Sequence, residues 1–229
     1  MLIAMQLLRI SDWAVSRKNN TIAILHDEEL LLKPSKPHIL MMGGVHGDEP
    51  EGVHLAEQTL KWLQHNRSPL KWSVSIVTCL NPDGFQTSQR VNGNGVDLNR
   101  NYPSKNWSAE FDQPKYYPGP SPGSEPEVQA VVAWVKKTKP RLIIHFHSSK
   151  PCIVLTGPPG EPYARALSES SGYPLQNSIG YPTPGGLSQW GWFDNNTPII
   201  CTEENDRGGL EKTWERFGPG LIKILTALD

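Results

Sequence analysis

Five short apolar runs, each followed by a turn-rich or helix-patterned stretch, constrain this chain more than any other feature. They are Ile39–Val45, Val74–Leu80, Arg141–His147, Cys152–Thr156 and Pro198–Thr202. Between or after them, residues 51–65, 127–137, 161–171 and 209–228 read as helices. In the first of these, Val53, Leu55, Ala56, Leu60 and Leu63 have roughly helical spacing, and Pro50 sits where a first helical turn tolerates it. Strands alternating with helices predict an α/β protein with a mainly parallel sheet covered by helices on both faces. With no internal repeat and no composition break, residues 1–229 are expected to form one domain.

The remaining segments fill in the edges. Leu7–Ile10, Thr21–Leu25 and Leu30–Leu32 read as edge strands or a hairpin. Asn81-Pro82-Asp83-Gly84 is a strong turn signal. Residues 85–123 read as a long loop, a length that is usually functional in a compact domain, and residues 172–191 as another. Ser124 with Glu127 has capping-box spacing for the helix that follows.

Charge excludes two classes of partner. There are 22 Lys+Arg against 23 Asp+Glu, a net charge of −1, so neither nucleic acid nor a membrane surface is an expected partner. The 20 glycines and 21 prolines predict shaped loops. Cys79, Cys152 and Cys201 all lie in apolar runs and form no CxxC pair, which fits buried thiols in a reducing compartment. The N-terminal stretch lacks the pattern of a signal peptide, and no run reaches the roughly 18–20 apolar residues of a membrane span. A cytoplasmic location is expected.

In open sheets of this kind, active sites lie at the carboxyl ends of the strands. His46, Asn81, His147 and Glu203 all fall at or just past such ends. His46 and Glu49 are three apart on the turn leaving the first central run, so both can face one metal ion. His145 and His147 are two apart on a strand and share a face. His147 is nearer the strand end and is read as the third ligand, with His145 buried or behind it. A catalytic zinc takes three protein ligands and leaves a fourth position for water, and His46, Glu49 and His147 meet that need with one zinc per chain. A separate carboxylate must take the proton of the water and pass it to the leaving amine. Glu203 or Glu204 can supply it, and since adjacent strand residues point to opposite sides, at most one of them faces the site. Arg100, flanked by Asn99 and Asn101, suits carboxylate binding, because a guanidinium fork grips a carboxylate in bidentate fashion and amides add donors. Arg90 could stabilise the oxyanion of a tetrahedral intermediate.

Taken together, His46-xx-Glu49, Asn81-Pro82-Asp83-Gly84, Asp97-Leu98-Asn99-Arg100-Asn101, His147-Ser148 and a strand-end Glu resemble the M14 family of zinc carboxypeptidases. Within it, Gly44–Glu51, Gly95–Pro103, Pro122–Glu127, Phe146-His147 and Gly180–Gly185 are most similar to its bacterial murein peptide amidase branch. These segments occur in order across residues 40–205. The resemblance implies a single-domain, carboxypeptidase-like three-layer sandwich with a mixed, mainly parallel twisted sheet. It implies zinc on His46, Glu49 and His147, Arg90 at the scissile carbonyl, and Asn99 with Arg100 on the terminal carboxylate of the substrate. Tyr181 is similar to the mobile tyrosine that closes over substrate, and Glu203, five residues after Pro198, to the general base. Asp48 stands where digestive members carry Arg, and an acid there could pair with an amine of the substrate, as in diaminopimelate. Glu204-Asn205-Asp206 is more acidic than the pattern of the murein branch.

The activity so implied is hydrolysis of the γ-D-glutamyl–meso-diaminopimelate amide of a murein tripeptide, in cell-wall peptide recycling. The alternatives are another zinc hydrolase on the same scaffold, either a carboxypeptidase on other peptides or an aspartoacylase- or desuccinylase-like deacylase, and a silent murein-peptide binder. Ser188 and Gln189 are weaker candidates, beside Asp48, for reading the stereochemistry of diaminopimelate.

Overall fold

A computed structural model of the chain describes residues 7–32, 35–66, 68–206 and 209–228. The first six residues, on which the N-terminal reading partly rests, lie outside them. One eight-stranded sheet runs through the described residues. Its strands are β1 (Leu7–Val15), β2 (Thr21–Asp27), β3 (His38–Met42), β4 (Ser73–Val77), β5 (Leu142–Ser149), β6 (Cys152–Thr156), β7 (Leu175–Gln176) and β8 (Ile199–Asn205). The spatial order is β1-β2-β4-β3-β5-β8-β6-β7. The central strands β4, β3, β5 and β8 are parallel neighbours. The hairpin β1–β2 joins one side antiparallel, and β6 joins β8 antiparallel on the other. The sheet is therefore mixed, with a parallel centre, as expected.

Helices cover both faces. They are α1 (Pro50–His65), α2 (Pro82–Thr87), α3 (Pro126–Thr138), α4 (Glu161–Ser171) and α5 (Leu210–Ala227). Successive strand side chains point to opposite faces, and the two cores separate by that period. Ile39 and Met41, Val74 and Ile76, Leu142, Ile144 and Phe146, and Ile200 pack with Leu55, Leu63, Leu167, Phe217 and Leu221 of α1, α4 and α5. Leu40, Met42, Ile143 and Ile199 pack on the other face with Val128, Val131 and Trp134 of α3.

Several local expectations are corrected. Residues 28–31 form a 3-10 turn, not a strand, because Asp27 caps it by accepting from the Glu29 N–H. The strands β3 and β4 are shorter than their apolar runs, since past Met42 and Val77 the chain bonds loop to loop, the Leu80 and Asn81 N–H groups donating to the Gly43 and Gly44 carbonyls. Asn81 to Gly84 is the start of a helix rather than a free turn: the Asn81 side chain accepts from the Gly84 N–H at 2.9 Å, and Pro82 opens α2. No capping box opens α3. The Ser124 hydroxyl donates to Glu125, the cap residue, while Glu127 turns inward and is met by Asn92. Residues 172–191 carry β7 and the start of a π-helical turn (Gln189–Asp194), in which Trp190 stacks on Tyr102 as a core contact.

Candidate metal centre and active site

After β3 the chain turns sharply. Gly44 has a φ of +62°, in the left-handed region that favours glycine. Gly47 lies so close to the Gly84 and Phe85 backbone that a Cβ would collide. The turn buries His46 and Glu49 at the carboxyl edge of the sheet, leaving Asp48 between them exposed. β5 delivers the third group: its even-numbered residues enter the α1, α4 and α5 core, so His145 and His147 share the opposite face with Ile143.

These three side chains converge. His46 Nδ1 lies 2.7 Å from Glu49 Oε1, His147 Nδ1 lies 2.7 Å from Glu49 Oε2, and the two Nδ1 atoms are 3.1 Å apart. Their ligand atoms all lie within 4.8 Å of one another. If both rings donate to Glu49, their protons also face each other, a repulsion that a shared cation removes. Two imidazole nitrogens and a carboxylate are donors that zinc accepts, so the residues fit the ion. Burial raises the Glu49 carboxyl, but His46 and His147 beside it carry it well below its ordinary range. Burial and Arg90 lower His46, yet Glu49 and Asp97 outweigh them and lift it to about 9. Burial holds His147 below its ordinary value.

Asp97 ties the centre to the long loop. Fully buried, it approaches His46 Nε2 at 3.1 Å, accepts from Arg90 Nε at 3.0 Å and accepts from the Asn99 N–H at 2.9 Å. Against the cost of burial, His46 and Arg90 drive its carboxyl far down. Arg90 also donates to Glu49 Oε1 at 3.2 Å. The guanidinium thus faces the centre, held by two carboxylates.

The choice between the adjacent glutamates follows from strand period. Glu203 shares the face of Ile199 and Cys201 and stands beside His147 in the β5–β8 register. Cys201 Sγ donates to its Oε1 at 3.4 Å, and its Oε2 is buried with no hydrogen-bond partner among the described residues. Burial first, and then Glu49, push its carboxyl above the ordinary range. Glu204 points the other way, pairs with Arg216 at 2.8 Å and accepts from the Tyr173 hydroxyl.

His46, Glu49, Arg90, Arg100, Tyr181 and Glu203 line one cavity of about 740 Å³, together with Asp48, Asn99, Ser188 and Gln189. Arg100 is buried, donates to the Pro182 carbonyl at 2.8 Å, and lies over the rings of Tyr116 and Tyr181 at 5.4 and 5.8 Å. Asn99 Oδ1 accepts from the Leu187 N–H at 2.9 Å. Asn101, the other flanking amide, is fully buried: it bonds Pro118, Ser121 and Ser124 and accepts from the Glu125 N–H, so it braces the loop and lines no part of the cavity. The Tyr181 ring lines the cavity and is half-exposed.

Sequence reasoning gave no role to Asp97, Tyr116 or the pair Ser148–Glu51. The Tyr116 ring sits 5.3 Å from the Arg90 guanidinium as well as against Arg100. The Ser148 hydroxyl donates to the buried Glu51 at 2.6 Å, and its N–H donates to Glu49 Oε2 at 3.3 Å. Asp97 had a signal, its place two residues before Asn99; Tyr116, in an aromatic loop, had none.

Comparison with known proteins gives a consistent result. Residues 5–199 match the family model of zinc carboxypeptidase, peptidase M14. Murein peptide amidase A of Escherichia coli K12 is 35% identical over 175 residues, which is 72% of this chain and 69% of that protein. Its namesake from Vibrio campbellii is 28% identical over 180 residues, covering 72% of this chain and 68% of that one. The crystal structure of a murein-tripeptide amidase from Escherichia coli O157 superposes with a TM-score of 0.76 at 26% identity, covering 96% of this chain and 93% of that chain. Bovine thrombin-activatable fibrinolysis inhibitor shares the fold, with a TM-score of 0.79 at 20% identity over 96% of this chain and 88% of that one. The family match stops at residue 199, short of Glu203.

Proposed function

The chain belongs to the zinc carboxypeptidase family, and from that premise we propose that it hydrolyses the amide between γ-D-glutamate and meso-diaminopimelate in murein tripeptide. One observation carries the reading. The Nδ1 atoms of His46 and His147 meet at the Glu49 carboxylate, in a cavity that also holds Arg100 and a Glu203 oxygen with no partner among the described residues. The relatives named as murein amidases support the substrate class.

His46, Glu49 and His147 would hold the zinc, which would supply Lewis-acid polarisation of the scissile carbonyl and activation of a water. Glu203 takes the proton of the attacking water and returns it to the leaving amine. Arg90 donates to the carbonyl oxygen as negative charge develops there. Arg100, with Asn99 beside it, grips the free carboxylate next to the scissile bond. Tyr181 closes over the bound peptide. Asp48, exposed in the same cavity, pairs with the distal ammonium of diaminopimelate. We further read residues 1–229 as one catalytic domain, on the strength of the single sheet. A cytoplasmic setting is supported by the free thiols of Cys79, Cys152 and Cys201.

A substrate panel tests the assignment. Zinc-loaded protein is expected to cleave murein tripeptide far faster than ordinary C-terminal peptides or N-acyl amino acids. Preferential cleavage of an N-acyl amino acid would make it a deacylase. Tight tripeptide binding without product would make it a binding protein.

A further inference from the structure

We propose that His145 is a positioning residue that fixes the metal-binding tautomer and ring orientation of His147; this rests on the zinc reading of His46, Glu49 and His147. A ring that gives Nδ1 to a metal keeps its proton on Nε2, and a buried N–H needs an acceptor. For His46 that acceptor is Asp97 Oδ1, 3.1 Å from Nε2. For His147 it is His145 Nδ1, 2.7 Å from Nε2.

The geometry suits the role. The two rings stand at 90° with centroids 4.6 Å apart, so the in-plane N–H of one reaches the in-plane lone pair of the other. Both side chains leave the same face of β5 and both are 2% exposed, so bulk water does not compete for the bond between them. To accept from His147, His145 must carry its single proton on Nε2. That atom is buried and has no hydrogen-bond partner among the described residues. Among the described residues no group competes for its tautomer, so the bond to His147 sets it, at the cost of leaving the His145 Nε2–H without an acceptor.

The acceptor is also neutral, where His46 is backed by a carboxylate. His145 pairs with Cys201, and His147 with Glu203, across the β5–β8 register. A carboxylate at position 145 would place another buried negative charge beside the base. An imidazole orients the ligand without that cost.

A rival use of the same residues exists, because His145, His147 and Cys201 also have ligand atoms within 4.8 Å. Yet the His145–His147 nitrogens are at hydrogen-bond distance, and the Cys201 thiol is directed to Glu203.

The test is competitive zinc titration against a chromophoric chelator. His145→Phe keeps a ring and removes the acceptor, and His145→Asn restores an oxygen near the place of Nδ1. Wild type is expected to bind one zinc, His145→Phe to bind it about 10–100-fold more weakly, and His145→Asn to recover most of the loss. Thermal unfolding of the metal-free variants reports any general loss of folding. Independently of the variants, heteronuclear NMR of the zinc-loaded wild type should show protons on Nε2 of both His147 and His145. Equal affinity of His145→Phe, a proton on His145 Nδ1, or a second zinc lost on substitution would overturn the proposal and spare the zinc centre. A wild-type protein that binds no zinc would overturn both.

Discussion

Glu203 and Glu204 are neighbours in the chain, yet they belong to different parts of the molecule. Strand period sends one toward the metal centre and the other into the layer of α4 and α5, where Arg216 and Tyr173 neutralise it. Glu203→Gln is therefore expected to leave zinc affinity unchanged while turnover falls by about 10²–10⁴-fold; turnover within a few-fold of wild type would remove Glu203 from the mechanism. Glu204→Gln should do the reverse, lowering the unfolding midpoint with turnover per folded molecule intact. Arg100 gives a different signature. Its fork is held by the Pro182 carbonyl and flanked by Tyr116 and Tyr181, so Arg100→Lys keeps the charge and loses the bidentate geometry. KM for tripeptide should rise while kcat stays close to wild type. A fall in kcat at constant KM would place the residue at the reacting atoms instead.

At the level of elements, the short helix α2 does more than turn the chain. Asn81 caps it by accepting from the Gly84 N–H, and the same amide donates to the Arg90 carbonyl at 3.2 Å. Gly47 packs against that first turn. Cap, Arg90 and the His46–Glu49 loop are thus one unit. Asn81→Ala should cost about 1 kcal/mol of stability, read from denaturant midpoints, and should also slow turnover because Arg90 loses its anchor. Stability loss with unchanged turnover would show the two roles to be separable. The central strands were legible because strands buried on both faces read as continuous apolar runs. What opens a helix was less so. Ser124 and Glu127 have the spacing of a capping box, but the Glu125 and Glu127 carboxylates are drawn to Asn92, 33 and 35 residues away in the chain. A long-range polar contact overrides a local signal, and nothing in the local sequence announces it. Leu30–Leu32 failed for the converse reason, since Asp27 offered a cap that competes with strand pairing.

Across the whole molecule, the sheet gathers the carboxyl ends of β3, β4, β5 and β8 at one edge, and His46, Glu49, His147 and Glu203 meet there. That gathering was readable from topology alone; the bracing shell of Asp97, Tyr116 and Ser148–Glu51 was not, because it depends on how the loop of residues 85–123 folds back. One buried group away from the site makes stability depend on pH. Burial foremost, with Glu125 and Asp83 adding to it, pushes the Glu127 carboxyl up from its ordinary 4.5 to about 7. Between those values the folded chain holds a proton that the unfolded chain releases, so this contribution is complete below about pH 4.5 and lost as pH rises toward 7. Glu127→Gln should gain stability relative to wild type between pH 5 and pH 8; parallel stability curves would contradict the assignment. Mass-spectrometric product analysis of L-Ala-γ-D-Glu-meso-diaminopimelate incubated with the zinc-loaded protein, with a chelated control, tests whether the protein is a zinc-dependent murein peptide amidase. Free diaminopimelate and L-Ala-D-Glu are expected, both abolished by chelation. Intact tripeptide, or cleavage that survives removal of the metal, would contradict that activity.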